Sequence, residues 1–234
     1  MAKLSNSLSL TPYLKIDFTM AQQEKTISYT SINSYSTLNE LTANTKNLWV
    51  VFHGMGHLSR YFIKHFDQLP PEENYIIAPQ APSKYYLNDQ FRHVGASWLT
   101  KEETARETEN VIAYIESIML RENLPEHLNV IVLGFSQGVS IATRWVAQKR
   151  VKCQQLVLYA GGIPKELKPD DFDFFEETKT KVTLLVGEND EYIDAHRLKT
   201  EVERAGELFG NEVKKVIFEG RHELKKELIN SLIP

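Results

Sequence analysis

Five short apolar runs, free of charged residues and separated by amphipathic stretches, constrain the fold of this chain more than any other feature. They fall at residues 48–52, 75–78, 130–133, 156–160 and 182–186 and are rich in β-branched and aromatic side chains. A strand with one face in water alternates apolar with polar residues, whereas a mostly apolar run uninterrupted by charge is expected to be covered on both faces. Helices between successive strands supply that cover in a mostly parallel sheet, so the pattern predicts an α/β fold with a central sheet flanked by helices. A sixth run, 213–218, carries Lys214 and Lys215 and is expected nearer an edge.

Between the strands, Thr100 precedes Glu103 at capping-box spacing, which predicts a helix from Lys101 with Val111, Ile115 and Ile118 on its apolar face. Ala195, Leu198, Val202, Ala205 and Leu208 repeat at helical spacing, Asp194 stands where an N-cap would, and Gly210 supplies a stop. Leu224, Leu228 and Leu232 predict a closing helix, and 137–148 reads as a buried one. Near the N-terminus, Leu14, Ile16 and Phe18, then Ile27 and Tyr29, alternate with polar residues, which predicts an antiparallel N-terminal hairpin. The connection 161–181 is too short for a cap domain, so an open site is expected.

The 234 residues suffice for one α/β domain, expected over 1–234, without metals or disulfides. Cys153 is the only cysteine and reads as a small buried residue. No stretch approaches the run of about 20 apolar residues that a membrane span needs. Residues 1–18 mix polar residues into what a signal peptide would keep apolar, so a cytoplasmic location is expected. With 27 basic against 31 acidic residues, scattered, nothing suggests a nucleic-acid partner. The oligomeric state is left open, a homodimer among the options.

Gly134, Phe135, Ser136, Gln137 and Gly138 form a GxSxG motif between an apolar run and an apolar helix. As a bare pattern the motif occurs by chance, and Ser136 would then be only a helix N-cap. Strand before and helix after are the context that gives it meaning. A serine in a sharp strand-to-helix turn is lifted to the carboxyl end of the sheet, and glycines two residues away on either side remove side chains that would collide. The helix N-terminus also favours negative charge developing nearby.

Such a fold orders its residues serine, acid, histidine, and His222 is the one histidine after the last run, with Gly220 before it. His53 precedes the serine; His65, His127 and His196 lie in or beside helices; His57 and His93 sit in loops that could line a pocket. The loop after 182–186 offers Glu188, Asp190, Glu191 and Asp194 as the acid. Asp190 is favoured and Glu188 comes next, since Asp194 is explained as a cap and Glu191 as solvated. The glycine-flanked turn His53, Gly54, Met55, Gly56 ends the first run and can aim backbone amides at the serine, with the amide of Gln137 as second donor.

Taken together, HisGlyMetGly at 53–56, GlyPheSerGlnGly at 134–138, GlyGluAsnAsp at 187–190 and GlyArgHis at 220–222 resemble the phospholipase/carboxylesterase family, the small capless α/β hydrolases that include acyl-protein thioesterases. The resemblance implies Ser136, Asp190 and His222 as catalytic triad and Met55 and Gln137 as the oxyanion amides. It implies cleavage of carboxylic esters or thioesters through an acyl-enzyme. The apolar residues expected around a pocket between the Met55 turn and the 83–98 loop favour short to medium acyl chains. No cofactor and no metal are expected, because triad and amides already supply the chemistry and no histidine, cysteine and carboxylate cluster has metal-ligand spacing. The resemblance also implies that 78–98 borders the acyl site with Trp98 as a lining residue, for which ordinary core packing is the alternative. Two departures bear on substrate: the family's turn is often followed by an aspartate where this chain has His57, a candidate substrate-binding residue, and 83–94 is unusually aromatic and charged. The competing readings are a catalytically silent homologue that binds or regulates, and a peptidase or lactonase on the same triad.

Overall fold

The computed structural model describes residues 22–210 and 212–234. The chain separates into two units, Met1–Ile32 and Asn33–Pro234. In the first, residues 22–32 form no regular secondary structure and are exposed. No strand therefore forms at Ile27 and Tyr29, and the other expected arm, Leu14 to Phe18, lies outside the described residues.

In the second unit the elements run β1 Tyr35–Leu38, β2 Asn47–Phe52, α1 Ser59–Phe62, β3 Asn74–Pro79, β4 Ser83–Tyr86, β5 Val94–Ser97, α2 Thr104–Glu122, β6 Asn129–Phe135, α3 Gln137–Lys149, β7 Gln155–Tyr159, α4 Phe175–Thr178, β8 Lys181–Gly187, α5 Ala195–Phe209, β9 Lys214–Phe218 and α6 Lys226–Asn230. The main sheet has the order β1-β3-β2-β6-β7-β8-β9. All neighbours pair in parallel except β1, which runs antiparallel to β3. The antiparallel strand near the N-terminus is thus β1, which pairs with the edge of the central sheet instead of forming a local hairpin. Each uncharged run is a central strand: β2 and β3 are buried along their whole length, and β9, with its two lysines exposed, is the outer strand.

The helices cover both faces, and α3 is the most deeply set, burying Val139, Ile141, Ala142, Trp145 and Val146. Val111, Ile115 and Ile118 form the buried stripe of α2 as expected, but the capping box does not form. Glu103 is left-handed, with φ 47°, so it cannot sit inside a helix and α2 starts after it, at Thr104. The Thr100 hydroxyl instead accepts from the Glu102 N–H at 3.2 Å. Asp194 does cap α5, accepting from the Arg197 N–H at 2.8 Å, and Gly210, with φ 83°, ends that helix. The closing helix is shorter than the leucine spacing predicts, five residues, with Ile229 as its buried anchor.

The connection after β7 stays compact because Phe172, Phe174 and Phe175 are buried, with Phe172 edge-on to Phe209 of α5 at 4.7 Å. It builds no cap. Residues 83–97 form a separate two-stranded hairpin, β4 with β5. Its outer arm is exposed throughout, and Tyr85, Tyr86, Leu87 and Phe91 all face solvent. Among the described residues no helix is long and apolar enough to cross a membrane.

Candidate active site

Strand order reverses between β2 and β6: the chain moves outward from β2 to β3 and returns on the other side of β2 at β6. In open α/β sheets the crevice beyond the carboxyl ends of the strands at such a switch point is where ligands bind. Phe52 and Gly134 are register partners there, so the turn after β2 and the serine after β6 leave the sheet side by side. An ideal Cβ at Gly54 would lie 3.1 Å from the Cβ of Ser136.

Ser136 has φ 54° and ψ −120°, outside the ordinary regions for a residue with a side chain. Tight packing holds it so. Its N–H donates to the Tyr159 carbonyl at 2.8 Å, and its own carbonyl accepts from the Val139 N–H at 3.0 Å. The flanking glycines are required by approach distance: a Cβ at Gly134 would sit 2.5 Å from the Gly138 carbonyl oxygen, and one at Gly138 only 2.1 Å from that of Phe52. Gly161, after β7, is equally constrained, because a Cβ there would be 2.2 Å from the Ser136 carbonyl oxygen.

The loops after β8 and β9 are joined to each other. The Glu188 N–H donates to the Phe218 carbonyl at 2.8 Å and the Asn189 N–H to that of Gly220 at 2.9 Å. Across this junction His222 Nδ1 lies 2.8 Å from Asp190 Oδ2. The Asp190 carboxylate is fully buried, and its other oxygen accepts from the N–H groups of Tyr192 at 2.8 Å and Ile193 at 3.0 Å. Three donors thus hold it in one orientation. Glu188 is exposed and its carboxylate accepts from its neighbour Asn189, while Glu191 pairs with Arg221 at 3.9 Å and accepts from the backbone N–H of His222 at 3.3 Å, away from the imidazole ring. Contacts with its own backbone N–H and then with that of His222, together with the charge of Arg221, keep the Glu191 carboxyl below the usual carboxylate range.

The His222 ring sits between Tyr192, edge-on at 4.7 Å, and Phe135, the residue before the serine, at 5.0 Å. Phe135 carries a second imidazole: His57 stacks on it at 5.7 Å. His57 is half-buried, and burial first, then the nearby charges of His65 and His222, lowers its pKa. Tyr192 was not singled out by sequence reasoning, since an exposed tyrosine in an acidic loop carries no pattern of its own.

At the turn after β2, the Gly56 N–H donates to the Ala96 carbonyl at 2.8 Å and the His57 N–H to that of Gly54 at 3.2 Å. Among the described residues neither the Met55 N–H nor the Gln137 N–H donates to another protein group. Two amides beside the serine are therefore unspent. The hairpin β4–β5 leans on this turn: a Cβ at Gly95 would meet both the Gly56 carbonyl and the side chain of Leu87 at 2.6 Å. Met55 and Leu87 are exposed on the surface formed there.

For Trp98 the sequence offers a lining role or core packing, and its side chain is buried. It is only 1% exposed, edge-on to Phe52 at 5.8 Å, and its indole N–H donates to the His53 carbonyl at 2.7 Å. The reason is local: β5 ends at Ser97 just behind the turn after β2, so the next side chain points into the core beneath that turn. His53 is also buried, and burial pushes its pKa down to about 4.

Comparisons with known proteins agree with this architecture. A solved structure of acyl-protein thioesterase 2 from Zea mays superposes with a TM-score of 0.66 at 16% identity, covering 86% of this chain and 96% of that one. A carboxylesterase from Mesorhizobium loti gives 0.65 at 14% identity, over 84% and 92% of the two chains. A phospholipase/carboxylesterase from Dyadobacter fermentans DSM 18053 gives 0.63 at 20%, over 88% and 98%. At such identities these likenesses establish the fold. No curated protein matches by sequence. The phospholipase/carboxylesterase family model matches residues 33–233, the whole α/β unit with its serine elbow, acidic loop and terminal histidine, and this chain is an esterase-type hydrolase belonging to that family.

Proposed function

We propose that Ser136, His222 and Asp190 act as a catalytic triad that hydrolyses carboxylic esters or thioesters through an acyl-enzyme. The observation that carries the reading is the 2.8 Å contact between His222 and the buried Asp190, made on the ring that packs against Phe135 beside the strained serine. With Nδ1–H engaged by Asp190, the imidazole keeps its lone pair on Nε2, the nitrogen available to a serine hydroxyl.

In the first half-reaction Nε2 takes the Ser136 proton as Oγ bonds to the acyl carbon. The carbonyl oxygen becomes an oxyanion, which the unspent amides of Met55 and Gln137 stabilise together with the N-terminus of α3. When the oxyanion collapses, the bond to the leaving oxygen or sulfur breaks and the imidazolium returns its proton to that atom. In the second half-reaction water takes the leaving group's place. Nε2 accepts its proton, and collapse releases the carboxylic acid and restores Ser136. The exposed side chains of Met55 and Leu87 beside the turn favour acyl chains of short to medium length, each buried methylene contributing about 0.8 kcal/mol. His57, stacked on Phe135, borders the same opening and contacts the substrate.

The test is covalent labelling. A fluorophosphonate probe should label the wild-type protein at Ser136, and Ser136→Ala should lose both labelling and ester hydrolysis while keeping its fold. Undiminished hydrolysis by the alanine variant would falsify the assignment.

A further inference from the structure

Both proposed oxyanion donors are tied, from behind, to the segment Ser97, Trp98 and Leu99. The Ser97 hydroxyl meets both polar atoms of the Gln137 side chain, at 3.3 and 3.1 Å, and Trp98 is the residue of the three that reaches both donors. The Trp98 backbone N–H donates to Gln137 Oε1 at 2.9 Å, and Gln137 Nε2 donates onward to the Leu99 carbonyl at 2.8 Å, so the side chain of Gln137 is held against the end of β5. The Trp98 indole N–H donates to the His53 carbonyl at 2.7 Å, immediately before the turn that carries the Met55 amide. From the proposed mechanism and these two tethers we infer that Trp98 is a positioning residue that sets the spacing between the Met55 and Gln137 amides.

His53 completes the support on the turn side. Its Nε2 accepts from the Ala81 N–H at 3.1 Å, so the proton must lie on Nδ1, which donates to the Gly54 carbonyl at 2.8 Å. That carbonyl belongs to the peptide whose N–H is the Met55 donor, so the buried imidazole fixes the plane of the donor itself. Its ring lies 5.0 Å from that of Trp98, and its low pKa keeps it neutral, with Nε2 free to accept, throughout the neutral range. An oxyanion forms only during reaction, so donors displaced by a lost tether weaken transition-state binding more than substrate binding.

The experiment uses Trp98→Phe, which keeps an aromatic ring and removes the indole N–H, with folding checked by circular dichroism. Removal of an oxyanion donor costs about 10²–10³ in kcat, and displacement should cost less, about 10- to 100-fold, with KM changed no more than about three-fold. The affinity of a trifluoromethyl ketone, which forms a tetrahedral oxyanion on serine, should fall in step with kcat/KM. If Trp98→Phe does not fold, Gln137→Met cuts the other tether while keeping the indole and the Gln137 backbone amide, and the same split is expected. A variant that keeps wild-type kcat and ketone affinity overturns the inference. A rise in KM alone, with an altered acyl-length profile, overturns it too and makes Trp98 a substrate contact. Failure of the hydrolase reading is seen separately in the wild type: a protein inert to fluorophosphonate and esters has no oxyanion site to position, and both readings fall.

Discussion

Asp190 and His222 meet across two adjacent loops at 2.8 Å, with both carboxylate oxygens of Asp190 engaged and its side chain shut off from solvent. Orientation of the imidazole by a carboxylate this confined leaves little tolerance for chemical change. Asp190→Asn should lower kcat by about 10⁴, the scale for neutralising a triad acid. Glu188→Gln and Glu191→Gln should stay within a few-fold of wild type, because neither carboxylate touches the imidazole ring. Steady-state kinetics on an activated ester decides this. A crippled Glu188→Gln beside an active Asp190→Asn would reverse the assignment.

Two glycine-to-alanine changes should have opposite signs. A Cβ at Gly138 would lie 2.1 Å from the Phe52 carbonyl oxygen, so Gly138→Ala forces α3 and β2 apart. It should destabilise by about 1–3 kcal/mol, the range for overpacking, and slow fluorophosphonate labelling because the elbow shifts. Gly206, within α5, has nothing within 4 Å of its ideal Cβ, so Gly206→Ala should stabilise by up to about 1 kcal/mol. Urea unfolding of both variants checks the pair, and equal effects would contradict the contact geometry.

His53 predicts a pH dependence of stability. Its ordinary value of 6.5 falls to about 4 in the folded protein because burial opposes charging. Between these values the unfolded chain binds the proton and the native state does not, so stability is greatest above pH 6.5 and declines as pH falls toward 4. The decline attributable to this group is on the order of 3 kcal/mol. Comparing urea midpoints at pH 7 and 4.5 should show a smaller loss in His53→Gln than in wild type. Parallel losses would mean that His53 charges freely in the fold.

Acyl-length preference should depend on the surface beside the turn. Specificity should rise about four-fold per accommodated methylene, the equivalent of 0.8 kcal/mol, and Leu87→Ala should flatten that slope with little effect on acetyl esters. Measuring kcat/KM for p-nitrophenyl esters of graded length tests it. A slope unchanged in Leu87→Ala would move the acyl group elsewhere.

Much of this was legible in the residues themselves. The runs at 48–52 and 130–133 read as two-sided strands, and the GxSxG between a strand and an apolar helix is visible in the sequence alone. What sequence could not supply were facts of tertiary direction. Nothing local distinguishes a tryptophan behind a turn from one in front of it, so the sequence leaves Trp98 between a lining role and core packing, and the structure buries its side chain. Thr100 and Glu103 have capping-box spacing, yet Glu103 adopts a left-handed conformation that no residue-type rule anticipates, and α2 begins later. Ile27 and Tyr29 alternate with polar residues yet form no strand, and the antiparallel strand beside β3 is Tyr35–Leu38.

The position of β9 has a thermal consequence. Among the described residues it is hydrogen-bonded on one flank, to β8, while β6, which leads to Ser136, lies between two strands. Fraying at an edge needs less free energy than global unfolding. Such an opening carries the 219–223 loop away and separates His222 from Asp190 while the serine elbow stays packed. On warming, hydrolysis should fade several degrees before the far-ultraviolet signal of the helices, and it should return at once on cooling. A disulfide or metal clip that fastens β9 to β8 should raise the temperature at which activity is lost and leave the melting of the remaining sheet almost unmoved.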